Sequence, residues 1–127
     1  MIDCTVDSST LIDALRHKPK ALEILSGFAS IGISHIALGE LLVGTFKQTD
    51  KGELSKISRM VSGMTLLGGD GRTSGIYARI RSELEIQGRM IPQNDIWIAT
   101  SSIQANAPLI SRDEHFARIQ GLTIIPY

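Results

Sequence analysis

Ile2-Asp3-Cys4-Thr5-Val6-Asp7-Ser8-Ser9-Thr10-Leu11-Ile12-Asp13 is the stretch on which the fold class turns. Ile2 to Val6 reads as a short strand. Ser8 or Ser9 is placed to cap a helix running to about Arg16. An acid, Asp7, therefore stands where a strand ends and a helix begins. The same alternation recurs along the chain. Pro19 suits the first turn of a helix over Lys20–Phe28, where its missing N–H costs nothing. Ile31–Ser34 is a strand, and Ser34 is placed to cap a helix that carries Glu40 and stops near Gly44. The charged stretch Lys47–Glu53 leads into a helix ending near Ser62. Met64–Leu67 is a strand, Gly68–Gly71 a turn, and Thr73–Gln87 a long helix with Gly88 as its C-cap. Asn94 is placed to cap a helix from Asp95 to about Asn106. Leu109–Ser111, Glu114–Arg118 and Leu122–Ile125 read as strand, short helix and strand.

Short, continuously apolar strands alternating with helices predict an α/β fold. Its sheet is mainly parallel, with helices on both faces. Sites in such folds form at the carboxyl ends of the strands. The 127 residues suit a single domain spanning 1–127. The formal net charge is zero, which argues against strong nonspecific attraction to nucleic acid by the whole molecule. Cys4, the single cysteine, reads as a small buried apolar residue rather than a nucleophile. One cysteine, no signal-peptide pattern and no apolar run near the roughly 20 residues of a membrane span predict a cytoplasmic protein without membrane contact.

Four acids carry the candidate chemistry: Asp7, Glu40, Asp95 and Asp113. Each lies beside an apolar run, and a buried carboxylate is costly without a partner. Asp7 also suits a helix cap. Glu40 lies in a helix that reads as apolar all round, hence buried, with an arginine as the alternative partner to a metal. Asp95 and Asp113 also suit helix starts, where acids gain from the dipole. Several carboxylates at strand exits and helix starts call for a cation, and oxygen donors favour Mg²⁺ or Mn²⁺. The remaining acids, Asp50 among them, sit in charged or turn contexts. Asp13 stands apart from these because it lies two helical turns from Asp7. His17, His35 and His115 lack the spacing of a zinc site. His115 reads as a surface or half-buried histidine that could also touch substrate. Arg72, Arg79, Arg81, Arg89 and Arg112 are candidate phosphate contacts, with Arg112 favoured because it adjoins Asp113. Arg79 and Arg81 also suit pairing with Glu83 and Glu85 along a helix. Trp97 reads as core more than as a base-stacking platform.

Val6–Asp13 resembles the opening motif of PIN-domain ribonucleases. Ile36–Gly44, Gly88–Ala99 and Leu109–Phe116 resemble their second, third and fourth motifs, in the right order and spacing over nearly the whole chain. The single-domain form is similar to the VapC-type toxins of toxin–antitoxin pairs. The resemblance implies a metal-dependent endoribonuclease in which Asp7, Glu40 and Asp95 hold Mg²⁺ or Mn²⁺ and Asp113 binds directly or through water. It implies a 5′-phosphate and a 3′-hydroxyl as products, an antitoxin partner and a homodimer. It gives Arg112 a place at the substrate or at an inserted antitoxin group. One position departs from the family: Ser9 stands where Asn is frequent, two residues after the first Asp. Serine keeps an oxygen able to orient a metal-bound water, but the geometry behind the metal ligands differs. A PIN-like binding module that docks an antitoxin or RNA is the alternative. A phosphate-receiving signalling domain fits less well, because no adjacent acidic pair ends the first strand and the last lysine is Lys56.

Overall fold

Apolar residues on both faces of a strand require cover on both sides, and the three central strands are built that way. In a computed structural model, which describes residues 1–47 and 52–127, β1 (Cys4–Val6) is buried throughout. β2 (Ile31–Ser34) is buried from its second residue on, and β4 (Leu109–Ile110) at both positions. β3 (Thr65–Leu67) and β5 (Ile124–Ile125) are more exposed, as suits the margins of a sheet. The order is β3-β2-β1-β4-β5, and every pairing is parallel. The chain thus leaves central β1 toward β2 and β3, then returns to its other side as β4 and β5. That reversal opens a crevice at the carboxyl ends of β1 and β4.

The helices are α1 (Ser8–Leu15), α2 (Pro19–Ser26), α3 (His35–Lys47), α4 (Gly52–Val61), α5 (Gly71–Gln87) and α6 (Gln93–Gln104), with a 3-10 turn at Glu114–Arg118. α6 packs on β1, β2, α3 and α5, while α1 packs on α2 and α3. Val6, Leu11, Ile33, Leu41, Ile96, Ile98, Leu109, Ile110 and Phe116 anchor one continuous core. Small hydroxyls knit it: Thr5 and Ser102 share a buried hydrogen bond, and Thr10 donates to the Ile110 carbonyl at 3.2 Å. The expected α/β architecture is the one observed, and Pro19 indeed begins α2.

Several local expectations differ. Asp7 itself, not Ser8 or Ser9, caps α1: its carboxylate accepts from the Thr10 amide at 2.8 Å. α3 does not stop at Gly44 but runs to Lys47. Thr45 continues the buried stripe begun by Ala37 and Leu41, which outweighs the roughly 1 kcal/mol cost of an interior glycine. Nor is α3 buried all round. That stripe is buried and Ile36, Leu38 and Leu42 pack beside it against the core, whereas Glu40, Val43 and Phe46 are exposed. Ser34 does cap α3, accepting from the Ala37 amide at 3.0 Å. α5 starts two residues earlier than expected, because Asp70 and Thr73 form a reciprocal capping box. Gly88 ends it at φ 66°, the left-handed conformation glycine adopts without steric cost. α6 is capped by Pro92, whose carbonyl accepts from the Asp95 amide at 3.0 Å. Asn94 is therefore helical and its side chain is free to point elsewhere. Most of the charged stretch Lys47–Glu53, with Asp50, lies outside the described residues.

Candidate active site

The crevice between β1 and β4 brings Asp95 and Asp113 together with His115, while Asp7 and Glu40 stand outside that close group. Asp7, at the exit of β1, is buried, with 3% of its surface exposed. One carboxylate oxygen accepts from the Thr10 amide, and the other accepts from Ser111 Oγ at 2.5 Å. The Ser111 oxygen in turn accepts from the Asp113 amide at 3.0 Å. Ser111 thus couples the exit of β1 to that of β4 and fixes the turn that presents Asp113.

Asp95 enters from the first turn of α6. Its Oδ2 lies 2.7 Å from His115 Nε2, and the other ring nitrogen of His115 lies 2.8 Å from Asp113 Oδ1. The ligand atoms of Asp95, Asp113 and His115 all fall within 4.8 Å of one another. Burial raises the Asp95 carboxyl above its ordinary range, and the charges of Glu40 and Asp113 push it the same way. The bond to His115 opposes them. Glu40 stands on α3, where Ser8 Oγ donates to Oε1 at 3.1 Å and Asn94 Nδ2 to Oε2 at 3.4 Å.

The donor set suits a hard divalent cation. Asp95 is half-buried among like charges, and a cation beside it would relieve both the burial and the repulsion. The oxygens of Asp7 and Glu40 already accept hydrogen bonds but keep lone pairs for an ion. Those bonds orient them as outer partners orient metal ligands.

Ser111 and His115 are the members sequence reasoning underweighted. The alternate spacing Ser111, Asp113, His115 directly after a strand was the available signal. Ser8, rather than Ser9, is the serine that reaches Glu40. Arg112 adjoins the site, but its guanidinium holds Asp13 through Nε at 2.7 Å and Nη2 at 3.4 Å. Asp13, two helical turns from Asp7, is almost fully buried. Hydrogen bonds from Arg112, Tyr127 and Lys18 hold its carboxyl down to about 2 against the cost of burial. Arg79 and Arg81 pair with Glu83 and Glu85 on α5. Trp97 stacks on Tyr77 with ring centroids 3.7 Å apart. A cavity of about 630 Å³ beside Trp97, Asp70 and His35 contains none of the four acids. Cys4 is a core residue, its thiol pushed up to about 11 by burial and then by Asp3. No described helix is long and apolar enough to cross a membrane.

The PIN domain family model matches residues 4–122. Ribonuclease VapC2 of Rickettsia felis is 30% identical over 125 residues, covering 94% of this chain and 93% of that protein. Ribonuclease VapC2 of Haemophilus influenzae is 28% identical over 128 residues, covering 96% of each. A crystal structure of VapBC2 from Rickettsia felis bound to a promoter DNA fragment matches the fold with a TM-score of 0.92 at 28% identity. The match covers 100% of this chain and 99% of that one. A chain that the PIN-domain model spans from β1 to past the 3-10 turn, with relatives aligned along nearly their whole length, belongs to the PIN-domain family.

Proposed function

We propose that this chain is a metal-dependent endoribonuclease, the toxin of a type II toxin–antitoxin pair, acting in the cytoplasm as one domain over residues 1–127. The observation that carries the reading is Asp95, a half-buried carboxylate flanked by the charges of Glu40 and Asp113. Asp7, Glu40, Asp95 and Asp113 hold Mg²⁺ or Mn²⁺. When bound, the ion supplies Lewis-acid polarisation of the phosphodiester and acidification of water. The protein supplies the positioning. Ser111 and the Thr10 amide fix Asp7, Ser8 and Asn94 orient Glu40, and His115 spans Asp95 and Asp113. Burial around Asp7 and Asp95 keeps the local dielectric low, so their carboxylates would attract a cation more strongly than they would in water.

An RNA substrate and an antitoxin partner accord with the relatives named as VapC ribonucleases and with the VapBC complexes of the same fold. The exposed apolar side chains Leu22, Val43, Phe46 and Leu54 on α2, α3 and α4 leave surface for an antitoxin or a second copy to cover.

The test is cleavage of a structured RNA pool by wild type and Asp95→Asn, with Mg²⁺, with Mn²⁺ and with chelator. Cleavage is expected only with metal and only with Asp95 intact. Absence of cleavage under every condition, by folded protein free of antitoxin, would overturn the enzyme reading in favour of a PIN-like binding module.

A further inference from the structure

We propose that Asp13 is a positioning residue: through Arg112 it fixes the Ser111–Asp113 segment against α1 and so sets where the Asp113 carboxylate stands in the cleft. Its geometric part stands on the contacts alone, and its consequence for a metal rests on the function proposed above.

Asp13 is 1% exposed. A carboxylate so placed is costly unless fully partnered, and three donors reach it. Arg112 comes from a residue 99 positions away, Lys18 Nζ stands at 3.3 Å, and Tyr127 Oη at 2.8 Å. Of these, only Arg112 belongs to the loop that carries Asp113. Its neighbour Ser111 binds Asp7, at the start of the same helix. α1 therefore grips two successive residues of that loop, Ser111 with Asp7 and Arg112 with Asp13. The two grips lie six residues apart, about 9 Å along a helix. A helix is stiff over that length, so a segment tied at both points has little freedom. Within the loop, the Asp113 amide donates to Ser111 Oγ. The guanidinium meets Asp13 through two nitrogens, Nε and Nη2, which fixes direction as well as distance. Lys18 meets the same carboxylate from outside the loop, and so separates neutralising Asp13 from gripping the loop.

The test reads amide hydrogen exchange by NMR in the metal-free protein for wild type, Arg112→Gln and Lys18→Gln. Arg112→Gln is expected to speed exchange at the Asp113 amide about fivefold to tenfold, the scale of one net hydrogen bond. The amides of Ile98 and Ala99 in α6 are expected to stay unchanged, which a general loss of stability would not allow. Lys18→Gln is expected to leave Asp113 as in wild type. Unchanged Asp113 exchange in Arg112→Gln overturns the proposal, and so does an equal effect of Lys18→Gln.

A calorimetric titration with Mn²⁺ gives the second readout. Arg112→Gln is expected to weaken binding about tenfold, as loss of an outer partner does, and Lys18→Gln to leave it unchanged. Equal Mn²⁺ affinity in wild type and Arg112→Gln overturns the proposal's metal consequence. Wild type that binds no Mn²⁺ overturns the metal reading itself, while the exchange experiment still decides the grip on the loop.

Discussion

His115 Nε2 stands 2.7 Å from Asp95 Oδ2, although the two residues lie on different elements and twenty positions apart. Without a bound cation, His115 is the group that reaches both Asp95 and Asp113. His115→Ala should therefore lower stability by about 1 kcal/mol in the absence of metal, the scale of one hydrogen bond in a part-buried site. Excess Mg²⁺ should narrow that gap, because the ion then links the carboxylates that His115 bridges. Thermal unfolding with and without Mg²⁺ measures this. A gap of the same size in both conditions would show that the metal and His115 do not share these carboxylates.

Asp7 has two separable roles, as the cap of α1 and as a candidate ligand. Asparagine keeps an acceptor for the Thr10 amide but sets an NH2 where Ser111 Oγ donates, so Asp7→Asn should cost about 1 kcal/mol, whereas Asp7→Ala loses the cap as well and should cost about 2–3 kcal/mol. Both should lower RNA cleavage on the order of 100-fold or more, the scale of losing one contact to developing charge. Urea unfolding and cleavage rates, taken together, separate the roles. An active Asp7→Asn protein would contradict the ligand assignment.

Asp13, held down first by Arg112, and Tyr127, pushed up first by burial, should shape stability at opposite ends of the pH scale. The Asp13 carboxyl is held at about 2, below its ordinary 3.8. Its contribution is thus fully present above about 4 and is lost as pH falls toward 2. Tyr127 is pushed up to about 12 from 10, first by burial. The neutral phenol therefore stabilises the fold below pH 10, and that contribution is lost as pH rises from about 10 to about 12. The stability difference between wild type and Tyr127→Phe should shrink over that alkaline window. A Cys4→Ala background removes the overlapping loss from the thiol, which is pushed from 9.0 to about 11. A difference that does not change between pH 10 and 12 would refute the coupling.

Gly88 offers a simpler check. A Cβ added there would meet nothing within 4 Å, so Gly88→Ala isolates the backbone cost of the left-handed conformation, about 1 kcal/mol. Gly88→Asn should lose less, since asparagine tolerates that region. Equal denaturant midpoints for wild type and Gly88→Ala would mean that α5 ends in another way.

The sequence was most legible where one local signal sufficed. The apolar run before Asp7, Ser34 at the start of α3 and Gly88 after α5 each announced their element. The four acids stood out because each lies beside apolar residues. What escaped notice was settled by contacts far apart along the chain. Asn94 has the chemistry of a cap, but Pro92 takes that role and Asn94 turns to Glu40, 54 positions away. α3 reads as apolar on every side, yet Glu40, Val43 and Phe46 face away from the core that Ala37 and Leu41 enter. Arg112 reads as a phosphate contact because no local pattern links residues 99 apart, yet its guanidinium holds Asp13.

The strand order places Asp7 and Ser111 side by side although they lie at opposite ends of the sequence. A ribosome reads them 104 codons apart. While the chain is being made, Asp7, Glu40 and Asp95 emerge in turn, and Ser111, Asp113 and His115 follow them. No partial product that stops short of β4 carries an assembled crevice. The topology therefore makes assembly of the crevice wait on the synthesis of β4.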